Sequence, residues 1–500
     1  MIVIGAYPDS VGVQRQGLSL LRSLGEFVSR LVPNGVGLHI LPFYPSSGDY
    51  GFAPDDWFKV RPDLGDWGDI EQLSAERRII VDGVYNHVGV GHHFVRDFYA
   101  APTTDGALYA YPSHAGVTGP SSPRGVPVLR RHSLQSGAWD LWQTFSTASV
   151  DIRLDNPDVQ DEIRRHLEFL ANRGVWAVRL DGCAYYGKSP CQEQFHHPAA
   201  QGYARAIAAM AKHAGLRVLA QLDCDPQGAA YFPRILGYDV PAVDYAYSAL
   251  LVEALLTENA IPLMEHLRRT WQLPCEVVRP PRTHDGILLQ SDLLPSASFD
   301  SIVSIAQRFA LPIRISNGEY YELNSSFPHV CSLGVDGEGM WARLRMIAAL
   351  TAFLPGWSYF YLPILLGDVP EDRYRGDADP RLVNRLPLDP GSINTFLASR
   401  DFNRMRLLLA YLFDLSHPSS DDHGLADPCV GLYGDSVICV NWPGAGARLL
   451  CNFSKNRSLR LEVLHLAEPA YSERANATEL RPLGFGIWTS NVRPFHFDWS

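Results

Sequence analysis

The chain has 500 residues, a formal net charge of -11 and a hydrophobic content of 46%. That is enough apolar material for a large core plus one or two smaller domains. The sequence has no basic tail, charge block or low-complexity tract, so we expect no nucleic-acid partner.

The cysteines and the first residues bear on the cellular compartment. Eight cysteines are scattered along the chain without a CxxC pair, which is typical of reduced thiols in a cytosolic protein. The first residues, MIVIGAYPDS, lack the basic region and long apolar run of a signal peptide. We therefore expect a cytoplasmic protein. We also expect no metal and no cofactor, because the histidines and cysteines are not spaced as ligand motifs. The oligomeric state is left open.

Short apolar runs recur along the chain, and each ends in a polar cluster. In chain order they read IVIGAYPDS, GLHILPFYPS, RIIVDGVYNH, VWAVRLDG, RVLAQLDCD, VDYAYSALL, CEVVRPPRTHDG and WSYFYLP. We interpret each as a strand, and VWAVRLD is apolar enough to be buried on both faces. Amphipathic stretches lie between several of them. Eight strands with intervening helices predict an α/β fold, a (β/α)8 TIM barrel.

One intervening stretch carries clear helix signals. In NPDVQDEIRRHLEFLANRG, Asn156 is placed to cap the N-terminus, Pro157 suits the first turn and Gly174 is a natural stop. A later apolar segment, MIAALTAFLPGWSYFYLPILLG, is interrupted by Pro355 and Gly356. It predicts a buried helix, a tight turn and a buried strand, so we expect no membrane partner.

Two connections are too long for ordinary barrel loops. They cover residues of about 88–145 and about 290–345, and we expect both to lie over the carboxyl-terminal face as loop-insertion subdomains. After about residue 414 the sequence changes to short alternating runs such as VGLYGDSVICVNW and ARLLCNFS. We therefore predict a barrel over 1–414 and a C-terminal antiparallel β domain over 415–500.

Polar residues at the carboxyl ends of barrel strands are candidates for catalysis. The candidates are Asp82, Asn86, His87, Arg179, Asp181, Gln221, Asp223, His284 and Asp285. A single aspartate in such a position is more often a helix cap or a turn residue. The ordered set is far more specific than any of its members.

This ordered set resembles the four signature regions of the α-amylase superfamily, the retaining glycoside hydrolase family thirteen. DGVYNH resembles the first region, VRLDG the second and RTHDG the fourth, and LAQLD falls where the third belongs. AYPDS, LPFYPSSGDYGFAPDDWFKV, WQTFSTASVDIRLDNP, YYELN, FLPGWSYFY and LVNR resemble the sucrose phosphorylase subgroup. The resemblance implies a glycosyl-transferring enzyme. Its partners would be a small-molecule sugar donor, either a glucoside or glucose 1-phosphate, and phosphate or another small acceptor.

The resemblance also implies roles for individual residues. Asp181 matches the nucleophile that forms a covalent glycosyl-enzyme, and Arg179 would keep it ionised. Asp285 matches the acid that stabilises the transition state. The positions implied in sugar binding are Asp49, Phe52, His87, Tyr185, His284, Tyr321, Glu322 and Arg385. Among these, Asp49 and Arg385 match a pair that closes the site behind one glucose, which implies an exo-acting enzyme.

Several positions depart from the subgroup. Gln221 stands where the acid/base glutamate belongs, and Glu322 stands where sucrose-specific members carry glutamine. The phosphate-binding arginine expected in the first insertion has no single match. The candidates are Arg124, Arg130 and Arg131, and Ser122 lies close to the expected position.

The sequence leaves three interpretations of Gln221 open. An amide cannot deliver a proton, and general acid–base help is typically worth about 10²–10⁴-fold. The first interpretation is a Glu-to-Gln change made to trap a ligand. The second is a natural enzyme that needs no acid, because phosphate leaves without protonation and an acidic acceptor needs no base. Asp223, about 7 Å further along the strand, is then an alternative proton donor. The third is a non-catalytic sugar-binding protein on a degenerate barrel of this family.

Overall fold

The computed structural model describes residues 1–12, 17–120, 122, 127–190, 197–221, 236–237, 239–273, 275–291, 293–316, 318–370, 380–388, 390–415, 429–442, 446–461, 469–476 and 478–489. Its strands are β1 (Ile2–Ala6), β2 (Gly37–Ile40), β3 (Ile79–Val84), β4 (His87–Gly89), β5 (Ala110–Pro112), β6 (Leu129–Leu134), β7 (Gly137–Trp142), β8 (Ser149–Asp151), β9 (Ala177–Asp181), β10 (Arg217–Ala220), β11 (Ala242–Val243), β12 (Val277–Arg279), β13 (Ile287–Leu288), β14 (Ile313–Ser316), β15 (Glu319–Leu323), β16 (Trp357–Tyr361), β17 (Cys429–Tyr433), β18 (Val437–Trp442), β19 (Ala447–Asn452), β20 (Leu459–Arg460), β21 (Tyr471–Ala475) and β22 (Glu479–Thr489). Its α-helices are α1 (Leu20–Leu31), α2 (Trp67–Glu76), α3 (His93–Ala100), α4 (Pro157–Asn172), α5 (Pro198–His213), α6 (Tyr245–Thr257), α7 (Ile261–Trp271), α8 (Ser296–Arg308), α9 (Phe327–Ser332), α10 (Gly337–Phe353), α11 (Leu362–Leu366), α12 (Pro390–Leu397) and α13 (Arg400–Leu415). Short 3-10 helices cover Asp49–Gly51, Ser113–Ala115, Cys183–Tyr185 and Pro380–Asn384.

Eight parallel strands close a barrel. Around it, β1 is followed by β2, β3, β9, β10, β11, β12 and β16, and β16 pairs again with β1. Every residue of β1, β2, β3, β9 and β16 is buried, as expected for strands covered by helices outside and packed side chains inside. The predicted (β/α)8 barrel is confirmed.

Helix α4 begins and ends where the local sequence predicts. The side-chain oxygen of Asn156 accepts hydrogen bonds from the backbone N–H groups of Asp158 (2.9 Å) and Val159 (3.3 Å). Pro157 is the first helical residue, where its missing N–H costs nothing. Gly174 follows the helix at φ 78°, a left-handed conformation that glycine adopts without strain.

The prediction of the sixth strand is wrong for most of its length, because the segment forms a helix. In VDYAYSALL only Val243 belongs to a strand, because α6 begins at Tyr245. The carboxylate of Asp244 accepts a hydrogen bond from the backbone N–H of Tyr247 (3.1 Å) and caps this helix. All residues of α6 except Thr257 are buried. A helix without a polar face has an apolar run like that of a buried strand, so the pattern could not separate the two.

The long apolar segment forms a helix, a turn and a strand, as predicted. Helix α10 ends at Phe353 and β16 begins at Trp357. The turn needs Gly356, whose φ is 99° and whose added Cβ would lie 2.3 Å from the carbonyl oxygen of Val277. Within the described ranges, no helix is long and apolar enough to cross a membrane.

Smaller sheets lie outside the barrel. In the first long connection β4 pairs with β8, and β5, β7 and β6 form an antiparallel sheet. In the second, β15 lies between β13 and β14. The C-terminal strands form a sheet in the order β17, β18, β19, β22, β20, with β21 paired to β22, which confirms the antiparallel C-terminal domain. Its boundary at residues 414/415 stays a prediction.

Candidate active site

A pocket opens at the carboxyl ends of the barrel strands. It is lined by predicted site residues from seven segments of the chain. These are Asp49, Phe52, His87, Asp181, Tyr185, Gln221, His284, Asp285, Tyr321, Glu322 and Arg385. Arg179 lies next to this lining, bonded to two of its members. The structure thus brings the whole predicted set together, while the role of each residue stays a prediction.

Asp181 is the last residue of β9 and is held by the arginine two positions earlier. Arg179 Nη1 lies 3.1 Å from Asp181 Oδ1 and also contacts Asp82. The side chains of Arg179 and Asp181 lie on the same face of β9, because residues two apart on a strand share a face. Burial raises the pKa of Asp181 to about 7, against the opposing effect of Arg179. Burial would also raise the pKa of Asp82, but Arg179 and His39 together lower it to about 2.

Gln221 follows β10 at the level of Asp181. Its backbone N–H donates to the carbonyl of Leu180 (3.0 Å), which extends the pairing of β10 with β9. Its side-chain oxygen Oε1 accepts from Arg179 Nη2 (2.6 Å) and from the backbone N–H of Gly182 (3.3 Å). The alternative proton donor, Asp223, lies outside the described residues.

Asp285 lies between two arginines. Arg385 Nη2 donates to Asp285 Oδ1 (2.8 Å), and Arg385 Nη1 donates to Asp49 Oδ1 (3.0 Å), the residue with which we predicted it to pair. Burial would raise the pKa of Asp285, but His284, Arg381 and Arg385 together hold it well below its usual range. The ionised form of Asp285 is therefore favoured, and this carboxylate can stabilise developing positive charge on a sugar ring.

Burial favours the neutral form of both histidines in the pocket. Burial lowers the pKa of His284 to about 3 and also lowers the pKa of His87. His87 Nε2 lies 2.6 Å from the carbonyl oxygen of Phe52, and its Nδ1 lies 3.2 Å from Asn86 Nδ2. The ring of His284 stacks on that of Phe52, with 4.9 Å between centroids. Its Nδ1 is buried without a partner among the described residues, so it can bond a ligand hydroxyl.

Sequence reasoning missed two charged residues at this site. Arg381 lines the pocket, and its Nε and Nη2 each lie 3.0 Å from an oxygen of Glu322. The sequence feature that could have identified Arg381 is its position four residues, about one helical turn, before Arg385 in RLVNR. Lys188 is 1% exposed, and its Nζ lies 2.6 Å from Asn86 Oδ1 and 3.1 Å from Asp151 Oδ2. This buried ammonium supports the side chain that bonds His87.

The described phosphate-binding candidates of the first insertion are not among the lining residues of the pocket. Among its described lining residues the arginines are Arg381 and Arg385. Arg131 is 66% exposed and its Nε lies 3.4 Å from Asp140, while Ser122 and Arg130 are also absent from the lining. Arg124 lies outside the described residues.

One group of described side chains has the composition of a metal site. Nε2 of His93 lies 3.0 Å from Glu162 Oε2, and Nε2 of His92 lies 3.8 Å from Glu162 Oε1. However, Nδ1 of His92 accepts a hydrogen bond from the backbone N–H of Phe94 (3.3 Å). Nε2 then carries the ring proton and is not a ligand. We assign no metal to this group.

Comparison with known proteins agrees with the barrel. Residues 35–213 match the family model of the α-amylase catalytic domain. A glucosylglycerate phosphorylase of Spirochaeta thermophila is 28% identical over 400 residues, which are 77% of this chain and 67% of the relative. A sucrose phosphorylase of Agrobacterium vitis is 26% identical over 458 residues, which are 84% of this chain and 89% of the relative.

A solved structure shares the fold. The crystal structure of sucrose 6F-phosphate phosphorylase from Thermoanaerobacter thermosaccharolyticum superimposes with a TM-score of 0.75 at 19% identity, and the match covers 90% of this chain and 93% of that one. Over residues 35–213 this chain is therefore similar to the catalytic domain of the α-amylase family. The relatives described above are glycoside phosphorylases.

Proposed function

We propose that the protein is a retaining α-glucosyl-transferring enzyme of the glycoside phosphorylase type. Asp181 is the nucleophile, Asp285 stabilises the transition state, and Gln221 occupies the acid/base position without the ability to donate a proton. The observation that supports this most directly is that the carboxyl groups of Asp181 and Asp285 and the neutral amide of Gln221 line one pocket. The identity of the relatives as phosphorylases supports the same reaction type.

The donor best suited to this site is an activated one such as glucose 1-phosphate. In the first step an oxygen of Asp181 bonds to the anomeric carbon, and the bond from that carbon to the phosphate oxygen breaks with its electron pair. In the second step the oxygen of an acidic acceptor, a phosphate or a carboxylate, attacks the same carbon and releases the Asp181 carboxylate. Neither step requires a proton, so Gln221 does not prevent the reaction.

The pair of Asp49 and Arg385 limits the donor to one glucose unit. Its ion pair of 3.0 Å lies in the lining of the pocket, where it bonds the hydroxyls of a terminal sugar and leaves no path for a longer chain. We expect no maltose release from soluble starch, measured by chromatography of the products. Appearance of maltose contradicts the exo-acting assignment.

Covalent labelling tests the proposed function. A 2-deoxy-2-fluoro-glucosyl fluoride carries its own good leaving group, so it needs no acid and should add one fluoroglucosyl group to the protein. We expect the added mass in intact-protein mass spectrometry, mapped to the peptide of Asp181 and absent in Asp181→Asn. An unlabelled protein that still binds glucose in calorimetry overturns the proposal and supports a sugar-binding protein.

A further inference from the structure

The amide of Gln221 has one orientation. Its Oε1 faces Arg179 Nη2 at 2.6 Å and the backbone N–H of Gly182 at 3.3 Å. A guanidinium and a backbone N–H can only donate, so the amide atom that faces them is the oxygen. The amide nitrogen Nε2 therefore points away from Arg179, and it has no partner among the described residues.

Arg179 is held on its other side as well. Its Nη1 contacts Asp82 and lies 3.1 Å from Asp181 Oδ1. Asp82 is in turn 2.9 Å from His39 Nε2. Turning the amide of Gln221 by 180° would set its NH2 group against two donors, and a buried unmade hydrogen bond costs about 1–3 kcal/mol, more when a charge is involved.

We infer that Gln221 is a catalytic hydrogen-bond donor whose Nε2 binds the oxygen that leaves or attacks at the anomeric carbon, and that it selects oxyanions in this position. This rests on the proposed function, because Asp181 must form the glucosyl-enzyme. The amide lies in the lining beside Asp181 and offers a donor where other members of the subgroup are expected to offer a proton.

The chemistry balances without an acid. When Asp181 attacks, the leaving phosphate oxygen takes the electron pair of the broken bond, and the N–H of Gln221 shares its proton in a hydrogen bond without giving it up. When phosphate attacks in the reverse direction, the same N–H orients the attacking oxygen. A donor aimed at developing negative charge typically contributes about 10²–10³-fold to the rate.

The same contacts predict how a carboxylate would behave at this position. In Gln221→Glu an oxygen would accept from Arg179 and from the N–H of Gly182, and both contacts stabilise the ionised form. The new side chain would then be an anion without a proton to give. It would also repel a phosphate in the pocket.

The test compares Gln221→Met, which keeps the shape and loses the N–H group, with Gln221→Glu and the parent protein. Gln160→Met on the exposed surface of α4 is the matched control for a glutamine-to-methionine change. The measurement is kcat/KM for glucose 1-phosphate and for aryl α-glucosides of increasing leaving-group pKa. Circular dichroism and Tm verify that each variant is folded.

We expect the parent rate to fall steeply as the leaving-group pKa rises. Gln221→Met should lower the rate with glucose 1-phosphate by about 10²-fold, Gln221→Glu should not rescue the poor leaving groups, and the control should match the parent. A parent rate that is flat across the series, full activity of Gln221→Met, or rescue by Gln221→Glu of about 10²–10⁴-fold each overturns the inference. Absence of labelling at Asp181 by the fluorinated donor instead overturns the proposed function itself.

Discussion

Acidic and basic side chains alternate along the wall of the pocket. Glu322 pairs with Arg381, and Arg385 bonds both Asp285 and Asp49. Arg381 and Arg385 both lower the pKa of Asp285, against the opposing effect of burial. Asp181 differs, because burial outweighs its arginine and raises its pKa to about 7. The carboxyl of Asp181, the proposed nucleophile, therefore has a pKa near neutral pH.

The pH dependence of the first step should reflect that carboxyl. With α-glucosyl fluoride as a donor that does not titrate, we expect kcat/KM to rise with pH through about 7, because Asp181 must be ionised to attack. Gln221 does not titrate, so no fall in rate at higher pH should come from the acid/base position. A rise centred near 4, the ordinary value for aspartate, contradicts this prediction.

The same raised pKa affects stability. Between about pH 4, where an unfolded aspartate titrates, and about 7, the folded state binds more protons than the unfolded one, so stability falls as pH rises. Asp181→Asn has no carboxyl at this position, so its stability does not fall with pH for this reason. We expect this variant to have no glucosyl transfer, a higher Tm than the parent at pH 8 and no such gain at pH 4. Equal Tm differences at both pH values contradict the assignment.

Glu322 should oppose the binding of anionic acceptors. It is 1% exposed and neutralises Arg381 in the pocket wall. Glu322→Gln removes the negative charge that faces Arg381, so its guanidinium can bond a phosphate, and a hydrogen bond to a charged group contributes about 1.5–3 kcal/mol. We expect the KM for phosphate to fall by about 10-fold. Glu319→Gln, an exposed residue of the same strand β15, is the control. An unchanged KM means that Arg381 does not face the acceptor.

At the scale of elements, the loop after β2 carries Asp49 in a constrained conformation. Asp49 and Tyr50 both have φ of 52°, and Gly51 has φ of 96°. Left-handed conformations cost roughly 1–2 kcal/mol for residues with a Cβ. The guanidinium carbon of Arg385 lies over the ring of Tyr50, 5.6 Å from the ring centroid. This contact and the ion pair of Asp49 with Arg385 stabilise the turn.

Gly51→Ala should disturb this loop and the sugar site together. The added Cβ would lie 2.5 Å from the carbonyl oxygen of Pro42, so the turn must shift and carry Asp49 with it. We expect kcat/KM for glucosyl donors to fall by about 10-fold or more, given that about 1 Å of misplacement costs up to 10²-fold. Gly137→Ala is the control, because its φ is 122° but no atom lies within 4 Å of the added Cβ. Equal kinetic losses in both variants contradict the prediction.

At the scale of the whole molecule, a buried ion pair joins the C-terminal sheet to the barrel helices. Arg345 of α10 donates to both oxygens of Glu473 on β21 (2.5 and 2.7 Å) and to Asp401 of α13 (2.8 Å). The Arg345 side chain is 1% exposed. The rings of Tyr411 and Tyr471 stack beside it with 5.2 Å between centroids. We therefore expect the two domains to unfold together.

Removing one partner of this pair should be costly. Glu473→Met removes the carboxylate that bonds the buried guanidinium of Arg345 twice, and such changes typically cost about 3–5 kcal/mol of unfolding free energy. The combined Arg345→Met and Glu473→Met variant should lose less than the two single changes added together. Urea unfolding of the four proteins measures this coupling. The exposed pair of Arg481 and Glu479 is the comparison, with an expected effect below about 1 kcal/mol. Strictly additive losses contradict the prediction.

The sequence by itself determined the barrel and the residues at its mouth. Strand ends follow one another in chain order, and a parallel barrel places all of its carboxyl ends at one face, so Asp181, Gln221 and Asp285 could be predicted to meet. Where a run had no periodic polar face, as in α6, the same reasoning failed, because burial on all sides removes the difference between helix and strand.

Only the tertiary structure decided which charges pair and which way the amide of Gln221 points. Arg385 and Asp285 are 100 positions apart, and Arg381 and Glu322 are 59 apart. Coulomb interaction depends on distance in space and on burial. Neither can be read from the number of residues between two charges. The orientation of the amide likewise follows from two donors, Arg179 and the N–H of Gly182, that approach it only once β9 and β10 lie side by side.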